Sequence, residues 1–299
     1  MTSEQTATAG IAPADYRLPA GTSIGAVRLQ VSDIGRSTEY YERVIGLHVH
    51  ERYLNLVTLG AGAGSAPPLV VLETRDGVRP SARRATLGLY HFAILLPDRP
   101  SLGRFLAHLN AIGAYAGMSD HLVSEALYLS DPDGLGIEVY ADRPRETWTH
   151  DGRQLAMATN PLNARDLIAA GGGVAWDGAP EGTVIGHVHL HVGDLAGAEA
   201  FYHSALGFDK TVWDYPGALF LSAGGYHHHL GTNTWAPGPV SPADQARLLY
   251  WELIVPRDGD AAAHSLSRAG YAAVEIPGGW SATDPWGTTV HILDAPARR

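Results

Sequence analysis

The chain has 299 residues, of which 45% are hydrophobic and 17% charged, as in a folded globular protein with room for two domains. A net charge of −10 argues against nucleic acid as a partner, and the lack of a long apolar run argues against a membrane span. Because the sequence has no cysteine but fifteen histidines, disulfides and thiolate sites are excluded, and histidine becomes the natural nitrogen ligand for a metal.

The predicted elements begin after a short N-terminal segment. This segment lacks the basic and apolar stretches of a secretion signal, so we expect a cytoplasmic protein, and we interpret residues 1–20 as a poorly ordered tail. The first strand is predicted at residues 24–31, where apolar and polar side chains alternate until Asp33, which can cap a helix. Residues 185–195 repeat the pattern of residues 24–34, and the helices that follow also match.

A second pair of segments is related more loosely. Residues 89–94 resemble residues 249–254, and an Asp-Pro turn at residues 131–134 resembles the one at residues 284–287, each before a last strand. The chain therefore consists of four repeated units, each with a strand, a helix and several further strands, which indicates duplication. Residues 146–182 interrupt the repetition, and we interpret them as a linker between two halves.

The repeats resemble the vicinal oxygen chelate superfamily, in which paired βαβββ modules curl into a sheet around one metal ion. Within it, residues 127–138 are similar to the two-domain extradiol ring-cleaving dioxygenases of the catechol 2,3-dioxygenase type, because a Tyr, an Asp-Pro turn and a Glu follow at the same spacing. The resemblance implies an α+β fold of four modules in two glyoxalase-like domains. Modules 1 and 2 would form a domain at residues 21–145, and modules 3 and 4 another at residues 183–295.

Metal ligands of this superfamily lie on the first or the last strand of a module. Module 2 offers His91 and Glu138, module 3 offers His187 and module 4 offers His291, whereas module 1 has Ala26 at the equivalent place. If the modules pair in chain order, neither pair has a complete ligand set. If modules 2 and 3 face each other, His91, Glu138 and His187 complete the two-histidine, one-carboxylate set of non-haem iron(II) enzymes. The resemblance favours this exchanged pairing.

The histidines at positions 227–229 are candidates for acid/base chemistry, because an imidazole both accepts and donates protons near neutral pH. The resemblance implies such a histidine about three residues before a small residue, and counting back from Gly231 selects His228. His229 remains the alternative, and we also expect it to contact the substrate.

Three more residues are candidates for contact with a substrate. A buried tyrosine needs a hydrogen-bond partner, and the resemblance implies that Tyr128 finds one in a substrate oxygen, which makes it a catalytic candidate. His121 lies seven residues before Tyr128, which is closer than is usual in this family. We expect Trp235 to line the pocket with its aromatic ring.

The resemblance implies extradiol, or meta, cleavage of a catechol-type aromatic diol by O2 at Fe(II), with Mn(II) as the alternative metal. This activity belongs to aromatic hydrocarbon catabolism. Two other classes stay open: another metal-dependent enzyme of the same fold, such as a glyoxalase-like lyase or isomerase, and a non-enzymatic binding or resistance protein. We expect no nucleic-acid or membrane partner, and a homo-oligomer is compatible with the sequence.

Overall fold

The computed structural model of the protein describes residues 9–62, 67–81 and 86–295. Module 1 contains β1 (Ser23–Gln30), α1 (Ile34–Tyr40), β2 (His48–Arg52), β3 (Leu56–Gly60) and β4 (Val70–Glu73). Module 2 contains β5 (Gly88–Leu95), α2 (Arg99–Ile112), β6 (Gly117–Asp120), β7 (Ser124–Ser130) and β8 (Gly136–Asp142). The linker contains β9 (His150–Asp151), β10 (Gln154–Leu155) and α3 (Ala164–Ala170). Module 3 contains β11 (Val184–His191), α4 (Leu195–Ala198), β12 (Asp209–Val212), β13 (Ala218–Ser222) and β14 (Leu230–Asn233). Module 4 contains β15 (Arg247–Val255), α5 (Gly259–Arg268), β16 (Ala273–Ile276), β17 (Gly279–Thr283) and β18 (Thr289–Asp294).

The modules form two eight-stranded sheets, and each sheet takes one module from each half of the chain. Modules 2 and 3 form the order β6-β7-β8-β5-β11-β14-β13-β12, and modules 1 and 4 form β2-β3-β4-β1-β15-β18-β17-β16. The first strands of the two modules meet antiparallel at the centre of each sheet. The predicted α+β fold of four βαβββ modules is confirmed, and the strand order is that of the exchanged pairing. The domain boundaries at residues 21–145 and 183–295 stay predictions. These domains join neighbouring modules along the chain, whereas each sheet joins one module from each half.

Part of the predicted N-terminal tail packs on the protein. Leu18 is 3% exposed, and the hydroxyl of Tyr16 donates a 2.8 Å hydrogen bond to Asp258. The prediction of a poorly ordered tail is therefore corrected for residues 9–20, because Pro13 and Leu18 are buried and the backbone of Ile11 pairs with that of Lys210. Residues 1–8 lie outside the described residues.

The linker contributes a helix that contacts module 2. The helix α3 begins after Asn163, whose side chain accepts a hydrogen bond from the backbone N–H of Asp166. It approaches α2 so closely that a Cβ atom at Gly103 would lie 2.1 Å from the carbonyl oxygen of Leu167. The absence of a side chain at Gly103 therefore permits this helix–helix contact.

Alternating side chains give the sheet of modules 2 and 3 two different faces. One face belongs to the apolar core and carries the fully buried side chains of Phe92, Ile94, Ile137, Val139, Val188 and Leu190. The residues between them on the central strands point to the opposite face, where the candidate site lies. No helix among the described residues has the length and apolar character needed to cross a membrane.

Candidate metal centre

The register of three central strands brings the predicted metal ligands to one place. His187 on β11 and Glu138 on β8 both lie opposite Ala93 on β5, one on each side of it. The three side chains therefore point to the same face of the sheet, and the small side chain of Ala93 lets its longer neighbours meet above it. His91 precedes Ala93 by two residues on β5, so its side chain also points to this face.

The three side chains converge on one carboxylate oxygen. Nε2 of His91 lies 3.0 Å and Nε2 of His187 lies 3.2 Å from Oε2 of Glu138. All three residues are buried, and one potential ligand atom from each lies within 4.8 Å of the others. The contact of His91 does not have the angles of a hydrogen bond, which leaves its Nε2 without a hydrogen-bond partner among the described residues. Two imidazole nitrogens and a carboxylate oxygen in this arrangement fit a divalent transition metal.

The electrostatics of the cluster also suit a metal. Burial lowers the pKa of His187 to about 4 despite the nearby carboxylate. Burial alone would raise the pKa of Glu138, but the charge interaction and hydrogen bond with His187, together with the charge interaction with His91, hold that pKa well below its usual range. Near neutral pH this favours a neutral imidazole beside an ionised carboxylate, and metal binding requires those protonation states. The donor set and its protonation states therefore fit a divalent transition metal.

A cavity of about 220 Å³ opens beside the three residues. His91 and Glu138 line it, so a molecule in the cavity would reach the metal centre. Its aromatic lining consists of side chains from five positions, which are Tyr90, Tyr128, Tyr215, Phe220 and Trp235. An apolar cavity of about 150 Å³ accommodates benzene, so this one has room for a small aromatic molecule.

Four of the other predicted site residues line the cavity, and one does not. The lining residues are Tyr128, His121, His228 and Trp235. His229 lies outside the lining, where its Nδ1 accepts a 3.2 Å hydrogen bond from the backbone N–H of Ala223. The geometry therefore does not support the predicted contact of His229 with a substrate. Residues 227–229 precede β14 rather than belonging to it, so strand alternation does not govern their directions.

Tyr128 and His121 form a directed hydrogen bond at the cavity wall. Nδ1 of His121 lies 2.6 Å from the carbonyl oxygen of Ala158, which can only accept, so this nitrogen carries the proton. In the neutral imidazole Nε2 then accepts from the hydroxyl of Tyr128 at 2.6 Å. Burial and the negative charge of Glu138 raise the pKa of Tyr128 well above its ordinary value, so the hydroxyl keeps its proton.

His228 lies next to the metal-binding cluster. Its ring centroid is 4.1 Å from that of His187, and only 6% of the residue is exposed. Burial, together with the neighbouring histidines, lowers the pKa of His228 well below its ordinary value. The side chain is therefore neutral near pH 7, and a neutral imidazole is able to accept a proton.

The sequence analysis missed His189, which also lines the cavity. It lies opposite His91 in the β5–β11 pair, with 5.0 Å between the ring centroids. The amide nitrogen of Asn233 donates a 3.0 Å hydrogen bond to its Nε2. A usable signal existed, because His189 follows His187 by two residues and so shares its face of the strand. The lining residues Tyr215 and Phe220 carried no such signal, since their position depends on tertiary packing.

Comparison with known proteins identifies the family. The family model described as Glyoxalase/Bleomycin resistance protein/Dioxygenase superfamily matches residues 23–139 and 184–292. The chain belongs to this superfamily, and the predicted resemblance is confirmed. It is similar to the catechol-2,3-dioxygenase of Bacillus subtilis (strain 168), with 43% identity over 271 residues, which cover 88% of this chain and 94% of that protein. This similarity also confirms the prediction of an enzyme of the extradiol dioxygenase class.

Solved structures support the fold. A provisionally assigned dioxygenase from Bacillus subtilis subsp. subtilis str. 168 has a TM-score of 0.66 and 12% identity, over 94% of this chain and 86% of that one. Glyoxalase I from Zea mays has a TM-score of 0.55 and 19% identity, over 92% of each chain. At these identities the likeness concerns the fold alone, and this fold serves more than one chemistry.

Proposed function

We propose that the protein cleaves the ring of a catechol-type diol with O2, next to its two hydroxyl groups, at an Fe(II) centre held by His91, Glu138 and His187. The observation that carries this proposal is the convergence of these three buried side chains beside a small aromatic-lined cavity. The 43% identity to a catechol-2,3-dioxygenase supports the substrate class. Cavity size and aromatic walls favour a single flat ring over a larger ligand.

Two histidines and one carboxylate occupy one face of a metal and leave the other positions open. When bound there, Fe(II) would act as a Lewis acid on the diol oxygens and bring diol and O2 together. Burial keeps His187 neutral, and the interactions with the two histidines keep Glu138 ionised, and these are the forms of both residues that bind a metal.

The other cavity residues supply proton transfer and orientation. Neutral His228 accepts a proton from a diol hydroxyl, a role that contributes about 10²- to 10⁴-fold in typical enzymes. The hydroxyl of Tyr128 points its proton at His121, so its oxygen keeps lone pairs that can accept a hydrogen bond from the substrate. Tyr215 and Phe220 line the cavity, so their apolar surface would pack against a bound ring and limit the entry of water.

Oxygen uptake tests the proposal. The protein is reconstituted anaerobically with Fe(II), or with Mn(II) in parallel, and a panel of catechols is added before O2 is admitted. We expect oxygen consumption and a yellow ring-cleavage product that depend on both metal and catechol. Metal-dependent conversion of other substrates without O2 would indicate a lyase or isomerase instead. Ligand binding without any metal would indicate a binding protein.

Metal analysis tests the ligand assignment separately. We expect His91→Ala, Glu138→Ala and His187→Ala each to lose most of the bound iron, because a two-ligand site holds a divalent metal weakly. His264→Ala serves as the control, since His264 is exposed on α5. Full retention of iron in His187→Ala would contradict the assignment, because that residue alone comes from module 3.

A further inference from the structure

A chain of hydrogen bonds runs from the cavity residue His228 through His227 to the carboxylate of Asp142, the last residue of β8. Nδ1 of His228 lies 2.7 Å from Nδ1 of His227. Nε2 of His227 lies 2.9 Å from Oδ1 of Asp142. His228 and His227 are 6% and 0% exposed, whereas the side chain of Asp142 is 27% exposed. The proposed activity uses His228 but assigns no role to the other two residues.

The direction of each hydrogen bond follows from the chemistry of its partners. A carboxylate oxygen only accepts, so Nε2 of His227 donates to Asp142. In a neutral imidazole the other nitrogen is then unprotonated, so Nδ1 of His227 accepts. The donor to it is Nδ1 of His228, and the remaining nitrogen of His228, Nε2, therefore carries a free lone pair. Nε2 is thus the basic nitrogen of His228.

The surroundings of His227 hold this arrangement in place. Its ring packs between Tyr226, with ring centroids 4.0 Å apart, and Trp148, with centroids 5.4 Å apart. The hydroxyl of Tyr226 also donates to Oδ1 of Asp142 at 3.2 Å and shares a 2.6 Å hydrogen bond with the hydroxyl of Tyr140. The imidazole of His227 therefore cannot rotate freely, and the carboxylate that it faces is itself held by a second donor.

We propose that His227 and Asp142 are positioning residues that fix His228 in the tautomer with the proton on Nδ1, so that Nε2 is free to accept the substrate proton. The assignment of the tautomer stands on the hydrogen bonds alone, and its catalytic consequence rests on the proposed function. Aspartate plays a comparable part in serine protease triads, where a wrong tautomer of the catalytic histidine lowers kcat by about 10⁴-fold. In this protein a carboxylate would fix a histidine tautomer in a comparable way, but His227 lies between Asp142 and the base His228.

Nitrogen NMR of the full chain measures the tautomer without any turnover. The protein is labelled with ¹⁵N-histidine and loaded with Zn(II), which is diamagnetic, and the signals of His228 are assigned by their loss in His228→Gln. We expect a protonated Nδ1 and an unprotonated Nε2. In His227→Phe, which keeps a ring but cannot accept a hydrogen bond, this preference should be lost. A wild-type His228 that is protonated at Nε2, or at both nitrogens, would overturn the assignment.

Kinetics of the iron-loaded enzyme measure the consequence. We expect His227→Phe to lower kcat by about 100-fold or more, with KM for catechol changed less than about threefold. In His227→Gln the amide oxygen can still accept from His228, so we expect kcat to recover to within about tenfold of the wild type. His203→Phe is the matched control, because His203 is a buried histidine whose hydrogen-bond partner among the described residues is the carbonyl of Phe208, away from the cavity lining. Equal kcat losses in the Phe and Gln variants would indicate a packing role only and would overturn the proposal.

A second variant, Asp142→Asn, tests the proposal in case His227→Phe folds poorly. Asp142→Asn can turn its amide N–H towards Nε2 of His227 and so reverse both tautomers, and we expect a similar loss of kcat with unchanged iron content. Wild-type kcat in this variant counts against the proposal.

The proposed function and the positioning role can be disproved independently of each other. A wild type that cleaves no catechol defeats the proposed function and leaves the NMR result standing, whereas an active wild type with an unaffected His227→Phe defeats the positioning role alone.

Discussion

The hydroxyl of Tyr128 donates a 2.6 Å hydrogen bond to Nε2 of His121, and the carbonyl of Ala158 holds the opposite nitrogen of that imidazole. The carbonyl fixes the tautomer of His121, and the tautomer fixes the direction of the tyrosine proton. The phenol thus presents its oxygen, rather than its proton, to the cavity. Its pKa, raised by burial and by Glu138, ensures that it does not ionise near neutral pH.

The first prediction concerns this pair. Tyr128→Phe removes an oxygen that faces the cavity and leaves Nε2 of His121 without its donor. We expect kcat/KM for catechol to fall about 10- to 100-fold at unchanged iron content. Tyr115→Phe is the control, because Tyr115 is 90% exposed. Wild-type kcat/KM in Tyr128→Phe would show that this oxygen does not contact the substrate.

The second prediction concerns the spacing of the strands that carry two metal ligands. A Cβ atom at Gly136 would lie 2.0 Å from the carbonyl oxygen of Tyr90 and 3.1 Å from Cβ of His91. Because a backbone carbonyl cannot move aside cheaply, Gly136→Ala should push β8 away from β5. We expect a lower melting temperature and weaker iron binding, measured by thermal unfolding and by titration with Fe(II). Gly117→Ala is the matched control, since its Cβ would meet only Tyr128 atoms, the nearest at 3.5 Å. Equal behaviour of the two variants would contradict the close approach.

Local patterns predicted the fold, because modules 1 and 3 repeat the same alternation followed by an Asp that caps a helix, and modules 2 and 4 resemble each other more loosely. They also placed His91 and Glu138 in one module. The pairing of modules is different, since the first strands of all four modules have equivalent edges and no local pattern selects a partner. The requirement for a complete ligand set, together with the family resemblance, favoured joining module 2 to module 3, and so bringing in His187.

Other features of the site lay beyond local patterns. Residues 227–229 lie in an irregular segment between β13 and β14, so strand alternation does not predict the direction of their side chains. The hydrogen bond from His227 to Asp142 joins modules 3 and 2, so the sequence around either residue does not predict it. His189 could be predicted from local pattern, because it follows His187 by two residues on β11 and so shares its face of the strand.

The third prediction concerns stability and pH. Burial raises the pKa of Asp131 from 3.8 to about 7, although the backbone N–H groups of Leu135 and Asp133 donate to it. Between about pH 4 and 7 the folded protein therefore keeps a proton that the unfolded chain has lost, and the free energy of unfolding falls as pH rises through this window. Asp131→Asn keeps the accepting oxygen but does not ionise.

We therefore expect the stability of Asp131→Asn relative to the wild type to improve between pH 5 and pH 8, by an amount on the order of 2 kcal/mol. Urea unfolding at the two pH values measures this difference. A stability difference between variant and wild type that is the same at both pH values would contradict the raised pKa of Asp131.

The fourth prediction concerns the N-terminal segment, which packs on modules 3 and 4. Leu18 is 3% exposed, and its backbone N–H donates a 2.8 Å hydrogen bond to the carbonyl of Gly207. Leu18→Ala should lower the free energy of unfolding by about 2–3 kcal/mol, because it removes buried apolar atoms and leaves a cavity. Leu54→Ala makes the same change at a side chain that is 99% exposed, so urea unfolding should show little effect there. If the two variants unfolded at the same urea concentration, the side chain of Leu18 would not be part of the cooperative core.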